Sequence, residues 1–470
     1  MIDLSSFKDM TVAVFGLARS GLAAAEALRK GRANVWAWDD SEEHRHAAAA
    51  RGISLVDLYQ QDLRKVCALI LSPGVPLHYP KPHPIVIRAR QANIEIIGDI
   101  DLLGRAQKAA TYIGITGTNG KSTTTALVGH ILTMSGQNIE VGGNLGIPVL
   151  SLRPLTENGT YVLEMSSYQL DLTSSVVFDV GVLLNITPDH LDRHGDMTGY
   201  TAAKERIFKN QNSDQIAIIG VDDPICRNIY DRLTKAAEQK IIPISVSEKL
   251  AGGVYVQDGV IIDNIDNDSC KVISLNNLTT LLGKHNWQNA AAAYAVAKTM
   301  SVAPEDIAMA VGSYPGLAHR QERVAYVDDI LYVNDSKATN IDSAARALIC
   351  YANIYWIAGG RSKEGGFEAL TPLLKNIRAA YLIGEAAPSL AAFLKGKVTF
   401  YLCKDLASAV ARAHEDAQQA NIENAVVLLS PACASLDQFK DFEDRGHRFR
   451  KIVDTLPGKH RAPDRAEIAA

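Results

Sequence analysis

The strongest chemical signal in the sequence is a glycine-rich stretch that ends in a lysine and a serine. It reads Gly-Ile-Thr-Gly-Thr-Asn-Gly-Lys-Ser over residues 114–122 and overlaps an apolar run, Tyr112–Thr116. Glycines let a backbone wrap closely around a phosphate, and the first N–H groups of a following helix attract the anion. In such a loop Lys121 would reach the β- and γ-phosphates, and the Ser122 hydroxyl would bind Mg²⁺. The predicted phosphate loop comprises Gly117, Thr118, Asn119, Gly120, Lys121, Ser122 and Thr123.

The spacing of this loop differs from the usual pattern for phosphate binding. That pattern requires a glycine where Ile115 stands. A glycine turn that only caps a helix is the competing interpretation. The Lys-Ser pair, the threonines that follow it and the strand–loop–helix context favour the phosphate site.

A second glycine loop lies near the N-terminus, over residues 16–21, between the apolar run Thr11–Phe15 and an alanine-rich helical pattern. Asp39 ends the next predicted strand, as in dinucleotide-binding folds, but Ala18 replaces the middle glycine that lets a backbone approach pyrophosphate. The pattern is compatible with any nucleotide diphosphate, a UDP-sugar included. A plain strand-to-helix turn remains the alternative.

Polar side chains follow two further predicted strands. Glu164 closes the run Tyr161–Met165, and the loop after Val180–Asn185 carries Asp189, His190, Asp192 and His194. The carboxyl ends of parallel strands form the ligand crevice of an α/β sheet, where a carboxylate can bind Mg²⁺. Spacing alone makes such a loop an ordinary solvated one, but its place in the sheet of the phosphate loop favours a site.

The whole chain alternates short apolar runs with helical patterns, which predicts α/β domains with mostly parallel sheets. Its 470 residues suggest about three domains at ~150 residues each. We expect domains at 1–107, 108–317 and 318–456, followed by a poorly ordered tail at 457–470. Leu406–Ala420 is the clearest amphipathic helix of the third domain.

Composition narrows the class of protein. Hydrophobic residues make up 47%, charged residues 21%, and the formal net charge is −4. This balance gives no reason to expect nucleic acid as a partner. No long apolar segment or basic leader is present, and the six cysteines form no CxxC pair. We therefore expect reduced thiols, no membrane association and a cytoplasmic location.

Several polar clusters of the second half allow two interpretations. His285-Asn286 begins an alanine-rich helix, so capping is the simpler role, although Asn286 and Asn289 lie one turn apart and can face one ligand. His319-Arg320, the stretch 335–340 and Gly359–Lys363 flank apolar runs. Their Arg and Lys side chains suit phosphate or carboxylate groups as well as surface ion pairs.

Seven motifs, in this order, resemble the Mur ligase family, and most closely its D-glutamate-adding members. The resemblance extends from about Phe15 to Phe449. The stretches 335–340 (Asp-Ser-Lys-Ala-Thr-Asn) and 430–439 (Ser-Pro-Ala-Cys-Ala-Ser-Leu-Asp-Gln-Phe) are its most specific parts. The motifs are Thr116–Ser122, Gly143–Gly146, Glu164–Leu170, Asn185–Arg193, His285–Asn289, Asn334–Asn340 and Leu429–Phe442.

The resemblance implies three domains: an N-terminal Rossmann-like domain for UDP, a central ATPase and a C-terminal Rossmann-like domain. It also implies a role for each matching residue. A second magnesium would be held with a carbamylated Lys204, although spacing alone makes Lys204 a solvated helix lysine. The implied UDP-substrate residues are Leu17, Ala18, Asp40, Ser41, Gly74, Asn144 and His190. The implied metal ligands are Ser122, Glu164, His190 and Lys204, and the implied catalytic residues are Lys121, His190 and Lys204. Asn286, Asn289, Arg320 and Asp335 would contact ATP, and Lys337, Thr339, Lys363, Ser435, Leu436 and Phe442 would bind D-glutamate.

The resemblance further implies a monomeric, ATP-dependent ligase that joins D-glutamate to UDP-N-acetylmuramoyl-L-alanine through an acyl phosphate. Three alternatives remain: a ligase of this or the folylpolyglutamate type that adds another amino acid, a nicotinamide-dependent oxidoreductase based on the first glycine loop, and a nucleotide-binding regulator without catalysis. The oxidoreductase leaves 114–122 unexplained. The regulator leaves Glu164, His190 and Lys204 without a role.

Overall fold

The computed structural model describes residues 1–362 and 366–462. The chain divides into two compact units. Unit 1 comprises 1–274 with 288–311, and unit 2 comprises 275–287 with the chain from 312 onward. Three sheets, rich in parallel strand pairs, carry the described elements, which confirms the predicted α/β class.

The first sheet is parallel throughout, in the order β2-β1-β3-β4. We name the part built around it, residues 1–106, the first lobe of unit 1. Its strands are β1 (Thr11–Phe15), β2 (Asn34–Trp38), β3 (Ala68–Leu71) and β4 (Glu95–Ile97), and its helices are α1 (Arg19–Lys30), α2 (Glu42–Ala50), α3 (Pro84–Gln91) and α4 (Asp99–Ala106).

The second sheet forms the central lobe of unit 1, residues 111–274 and 288–311. Its strand order is β13-β12-β11-β10-β9-β8-β5-β7-β6, and only the β11–β12 and β12–β13 pairs are antiparallel. The strands are β5 (Thr111–Thr116), β6 (Ile139–Gly143), β7 (Thr160–Glu164), β8 (Val180–Leu183), β9 (Ile216–Gly220), β10 (Lys240–Ser245), β11 (Gly253–Gln257), β12 (Val260–Asn264) and β13 (Cys270–Ser274). The helices are α5 (Lys121–Met134), α6 (Ser167–Asp171), α7 (Leu191–His194), α8 (Met197–Glu205), α9 (Pro224–Ala236), α10 (Lys284–Thr299), which begins in unit 2, and α11 (Pro304–Gly312).

The third sheet lies in unit 2, in the order β18-β17-β16-β19-β15-β14-β20, antiparallel only where β14 pairs with β15 and β20. The tail expected to be poorly ordered from 457 contains the paired strand β20, so its described part is held at the sheet edge. The strands are β14 (Glu322–Val327), β15 (Ile330–Asn334), β16 (Ile354–Gly359), β17 (Ile377–Ile383), β18 (Thr399–Leu402), β19 (Val426–Leu429) and β20 (His460–Arg461), and the helices are α12 (Ile341–Cys350), α13 (Ala387–Leu394), α14 (Leu406–Ala420) and α15 (Phe442–Val453).

The core of the central lobe explains why its strands are apolar without alternation. β5, β7 and β8 are buried along nearly their whole length, because helices cover both faces of a parallel sheet. Gly114 of β5 faces Phe178 and Ile207 so closely that an added Cβ would lie 2.5 Å and 2.6 Å from their side chains. This strand therefore needs a glycine before the phosphate loop begins.

Two further expectations concern membrane-spanning helices and the state of the cysteines. Among the described residues, no helix combines the length and apolar character that a membrane span requires. All six cysteines fall in the described ranges, and each is a free thiol there.

Candidate active site

The first glycine loop is a tight strand-to-helix turn. Gly16 has φ +90°, and an added Cβ on Gly21 would lie 1.7 Å from the Gly16 carbonyl oxygen. The Ser72 hydroxyl donates to the same carbonyl at 2.7 Å. Gly16 is thus required by its positive φ and the nearby Ser72 side chain, and Gly21 by close backbone contact.

Two neighbouring aspartates after β2 have different roles. Asp39 accepts the Leu17 N–H at 2.5 Å and the Ser41 N–H at 2.8 Å, so it fixes the glycine loop against the end of β2. Asp40 instead accepts from the Tyr59 hydroxyl at 3.1 Å and lies 3.2 Å from His83 Nε2. Asp39 lines the cleft described next, whereas Asp40 is outside its lining.

A cleft of about 630 Å³ lies between the first and central lobes of unit 1. It brings the first glycine loop, the phosphate-loop lysine and the strand-end loops of the central sheet to one place. Of the predicted residues, Ala18, Ser41, Gly74, Lys121, Asn144, His190 and Lys204 line it, whereas Leu17 is buried behind it.

The phosphate loop has the backbone conformation that its glycines predict. Gly117 has φ +152° and Gly120 has φ +87°, both positive, and Gly120 is the N-cap of α5. Asn185 braces the loop, since its side chain accepts the Asn119 N–H at 2.9 Å and donates to the Asn119 carbonyl at 3.2 Å. Lys121 folds over the loop and donates to the Gly117 and Thr118 carbonyls at 2.9 Å and 2.8 Å.

A buried carboxylate connects the phosphate loop to the substrate cleft. Glu164, at the end of β7, accepts a short hydrogen bond from the Ser122 hydroxyl through one oxygen. Its other oxygen accepts from the Asn144 amide at 2.6 Å. The three predicted residues are thus directly connected, and they present a hydroxyl and a carboxylate beside the loop.

Lys204 of α8 is 1% exposed, which contradicts the spacing-based expectation of a solvated lysine. Its ammonium donates to the Gly117 carbonyl at 2.7 Å and lies 4.8 Å from the Tyr200 ring centre. Burial lowers the pKa of Lys204 well below its ordinary value, and the nearby Lys121 charge lowers it further. Burial at this position thus disfavours the charged form of the amine.

The loop 189–195 carries His190 at the cleft and His194 behind it. His190 has a left-handed backbone, φ +54°, and its ring packs against Tyr168 at 5.1 Å between centres. His194 Nε2 lies 2.9 Å from the Ser167 hydroxyl, and Nδ1 lies 3.5 Å from Asp171. Burial lowers the pKa of His194 to about 4, so this ring is neutral at neutral pH.

The residues expected to hold Mg²⁺ fit that ion in part. Ser122 and Glu164 offer hard oxygen donors, the type that Mg²⁺ prefers. The Lys204 ammonium does not fit a cation, but a carbamate at the same nitrogen would. Within the described ranges, no group of three or more His, Cys, Asp or Glu side chains is arranged to hold a metal ion, so a site here needs the hydroxyl and the modified lysine.

Unit 2 contains a second polar cluster at the end of β15. Asp335 accepts from the Ser430 hydroxyl at 2.8 Å and from the Gln321 N–H at 3.1 Å. Burial raises the pKa of this carboxyl to about 7.

The other residues expected to contact ATP are divided between the units. Arg320 and Asn286 also belong to unit 2, whereas Asn289 belongs to unit 1, where it lies against Gly120.

Arg445 of α15 connects the two most specific motifs of unit 2. It is fully buried and donates from Nε to the Ser336 hydroxyl at 2.9 Å and from Nη2 to the Ser336 carbonyl at 2.8 Å. Both Nη atoms also lie 3.2 Å from the Cys433 carbonyl. The loops 335–340 and 430–439 are thereby held together.

The described residues expected to bind D-glutamate lie on these two loops, except Phe442, which begins α15. The Lys337 ammonium lies 3.8 Å from the Phe442 ring centre, and the Lys337 carbonyl accepts the Thr339 N–H at 2.7 Å. Ser435 is buried, whereas Leu436 is 61% exposed. Lys363 lies outside the described residues.

Several residues of the cleft escaped the sequence reasoning. Tyr168, Tyr200, Ser72 and His44 line it, but an aromatic or hydroxyl side chain carries no spacing signal. Arg19 and Arg193 act through backbone carbonyls of the opposite lobe. Tyr168 and Arg193 lie inside motifs that match the family, and this position was the sequence signal for a role at the site.

The chain is similar to known proteins over nearly its whole length. Residues 115–297 match the family model of the Mur ligase middle domain. The chain is 50% identical to a UDP-N-acetylmuramoylalanine–D-glutamate ligase of Phenylobacterium zucineum, over 97% of this chain and 98% of that protein. It is 47% identical to the ligase of the same name in Rhodospirillum rubrum, over 97% of each.

Solved structures show the same fold at low sequence identity. A UDP-N-acetylmuramate–alanine ligase of Thermotoga maritima aligns with TM-score 0.58 and 17% identity, over 95% of this chain and 99% of that one. A MurF ligase of the same organism, in complex with ADP, aligns with TM-score 0.56 and 17% identity, over 97% of each.

Proposed function

The chain belongs to the Mur ligase family, in the branch of the UDP-N-acetylmuramoylalanine–D-glutamate ligases, and from this premise we propose its reaction. Mur ligases are ATP-dependent enzymes that form an amide bond and use Mg²⁺. We propose that this protein joins D-glutamate to UDP-N-acetylmuramoyl-L-alanine in peptidoglycan synthesis, in the cytoplasm and as a monomer. The sibling ligases remain the alternative, and nothing in the cleft requires a nicotinamide.

One structural observation supports this proposal independently of the names of its relatives. The first glycine loop, Lys121, Glu164 and the buried Lys204 meet at a single cleft, where Glu164 is bonded to Ser122 and Lys204 to Gly117. A nucleotide-linked carboxylate and a triphosphate need adjacent sites if the carboxylate is to attack the γ-phosphate. The cleft offers both on neighbouring loops.

The UDP part of the substrate is proposed to occupy the first lobe. The N–H groups at the start of α1 and the backbone of Gly74 suit its diphosphate. Asn144 and His190, on the opposite side of the cleft, are proposed to contact the muramoyl-alanine part. The full set remains Leu17, Ala18, Asp40, Ser41, Gly74, Asn144 and His190.

Magnesium is proposed to be held by Ser122 and Glu164, and a second ion by Glu164, His190 and a carbamylated Lys204. The neutral Lys204 amine attacks CO₂, forms an N–C bond and releases one proton, which leaves an anionic carbamate. Magnesium held there would supply positive charge to the phosphate oxygens, whose negative charge develops in the transition state. The observation in favour of carbamylation is the burial of an amine whose pKa is low.

The reaction is proposed to proceed by two substitutions. The L-alanyl carboxylate attacks the γ-phosphorus of ATP, an O–P bond forms, and ADP leaves. The amine of D-glutamate then attacks the acyl carbon, loses a proton and expels phosphate from a tetrahedral intermediate. Lys121 and the loop N–H groups stabilise the transferred phosphoryl group, and the remaining residues position the reactants.

D-Glutamate is proposed to bind the cluster in unit 2. Lys337 and Lys363 would pair with its carboxylates, while Thr339, Ser435, Leu436 and Phe442 would surround it. Asn286, Asn289, Arg320 and Asp335 are proposed to contact ATP. The domains are proposed to be 1–107, 108–317 and 318–456.

The test is phosphate release from ATP in the presence of UDP-N-acetylmuramoyl-L-alanine and one amino acid at a time. D-Glutamate alone should support release, and L-glutamate, L-lysine and meso-diaminopimelate should not. Release with another of these amino acids would assign the protein to a sibling activity. Absence of release with all four would refute the ligase assignment.

A further inference from the structure

Two arginines span the cleft of unit 1 in opposite directions. Arg19, at the start of α1 in the first lobe, donates to the Gly146 carbonyl of the central lobe. Arg193, in α7 of the central lobe, donates from Nη1 to the Gly74 carbonyl at 2.8 Å and from Nη2 to the Pro73 carbonyl at 3.4 Å. Each lobe therefore binds a loop of the other lobe through hydrogen bonds from an arginine side chain.

The Arg193 contact depends on the shape of a guanidinium. Its two terminal nitrogens reach carbonyls of consecutive residues, and its Cζ lies over the Tyr168 ring, 4.5 Å from the ring centre. A planar fork can bridge two acceptors and stack on an aromatic ring at once, whereas an ammonium cannot. Tyr168 in turn packs against His190, three residues before Arg193.

The segment 190–195, which carries Arg193, has a left-handed residue at its start and a second contact with the first lobe at its end. It begins with the left-handed His190, a conformation that a non-glycine residue keeps only when its surroundings hold it. It ends at Gly195, with φ +84°, where an added Cβ would lie 2.9 Å from the Tyr79 ring of the first lobe. Gly195 therefore lies where the two lobes of unit 1 approach each other closely.

We propose that Arg193 is a positioning residue that couples the nucleotide end of the cleft to its acceptor end. It holds the loop of Gly74, which faces the UDP moiety, at a fixed distance from His190, which faces the muramoyl-alanine part. The inference rests on the proposed function for the identity of the substrate. It assigns Arg193 no contact with any reactant.

This role predicts an affinity loss that depends on ligand length. UDP occupies the first lobe alone, so its dissociation constant should change less than about twofold in Arg193→Met. UDP-N-acetylmuramoyl-L-alanine spans both lobes, so its dissociation constant and KM should rise about tenfold, the usual effect of losing charged hydrogen bonds. The KM for ATP should stay unchanged.

Titration calorimetry with both ligands tests the inference, with kinetics on the same preparations. Arg193→Lys should recover little of the loss, because charge alone does not bridge the two carbonyls. Arg90→Met is the matched control, since Arg90 donates to the Leu77 carbonyl within the first lobe, and it should resemble the wild type.

Each other outcome overturns the inference. Equal losses for UDP and the longer substrate would place the effect in the first lobe alone, and full recovery by lysine would reduce the contact to its charge. Unchanged binding of both ligands would remove the coupling. A wild-type protein that binds UDP but not the longer substrate would instead refute the proposed function, and the inference with it.

Discussion

At Lys204 we expect a single substitution to increase the stability of the protein and to remove its activity. Among the residues that the structure describes, the buried amine has the Gly117 carbonyl and no carboxylate as hydrogen-bond partner, and burial lowers its pKa. In the unfolded chain the Lys204 amine is protonated at every pH below its ordinary pKa of 10.5. In the folded chain burial disfavours the protonated amine. The cost of burial is therefore present at neutral pH and disappears only as the pH rises.

Lys204→Met should raise the free energy of unfolding by about 1 kcal/mol or more, because an apolar side chain of similar length removes that cost. The Gly117 carbonyl keeps Lys121 as a donor. Phosphate release should fall to background. Thermal unfolding in carbonate-free buffer tests the first effect, with the exposed Lys209→Met as control. A less stable variant, or an active one, would contradict this account.

Asp335 should make unit 2 sensitive to pH. Burial raises the pKa of its carboxyl to about 7 from an ordinary 3.8. Between these values the unfolded chain has an ionised carboxyl while the folded chain keeps the proton. Stability is therefore fully present below 3.8 and declines as the pH rises toward about 7.

Asp335→Asn removes this titration, so the Tm of the variant relative to wild type should increase steadily from about pH 4 to about pH 7. The gain corresponds to at most about 4 kcal/mol at 1.36 kcal/mol per pKa unit. Asp328→Asn is the control, since the Lys459 N–H holds the pKa of that carboxyl below its ordinary value, and it should show no such trend. A constant difference for Asp335→Asn would show that the carboxyl does not titrate in this range.

At the scale of secondary-structure elements, the sequence predicted the helices and strands that a local hydrophobic pattern determines. α14 has the expected bounds and β1 the expected strand, because hydrophobic pattern and caps fix both. β6 escaped prediction, since its glutamate, two glycines and half-buried positions show no period. The strands β11–β13 were likewise missed, because their pairing depends on hairpins rather than on the βα alternation.

The candidate site likewise contains residues that a local pattern predicts and residues whose position depends on tertiary packing. The phosphate loop is predictable because a local backbone conformation requires its glycines. Lys204 required the family resemblance, since its burial arises from packing around Tyr200 and the Gly117 carbonyl. The motif Asn185–Arg193 included Arg193, but its contacts were not predictable, because its acceptors are main-chain carbonyls some 120 residues earlier, which no residue type encodes.

Helix α5 offers an internal comparison between its two glycine ends. Gly120 precedes it with φ +87°, and an added Cβ would lie 2.2 Å from Asn289 Oδ1. Gly136 follows it with φ +75° and has open space around it. Alanine is strained at both positions by the left-handed backbone, by about 1 kcal/mol.

Only Gly120→Ala should also disturb the phosphate loop. We expect its KM for ATP to rise about tenfold or more, because Asn289 and the loop must separate, whereas Gly136→Ala should lose stability alone. Steady-state kinetics and thermal unfolding of both variants test this. Equal KM values would show that the loop tolerates the displacement, and would count against its role as the ATP site.

At the scale of the whole molecule, the charge balance bears on how anionic substrates bind. The chain has a net charge of −4, with 48 basic and 52 acidic residues, so its overall field does not attract ATP or a UDP-sugar. The cations of the cleft, Lys121 and Arg19, are local. Attraction over long distances is screened by salt, whereas contacts within a cleft are screened much less.

We therefore expect kcat/KM for UDP-N-acetylmuramoyl-L-alanine to depend only weakly on ionic strength. Between about 0.01 M and about 0.15 M the Debye length falls from about 30 Å to about 8 Å, yet kcat/KM should fall less than about threefold. The measurement needs constant free Mg²⁺ and a sucrose series to separate viscosity from screening. A tenfold decrease would mean that a positive surface steers the substrate, and the recognition groups would then extend beyond the cleft on which this account depends.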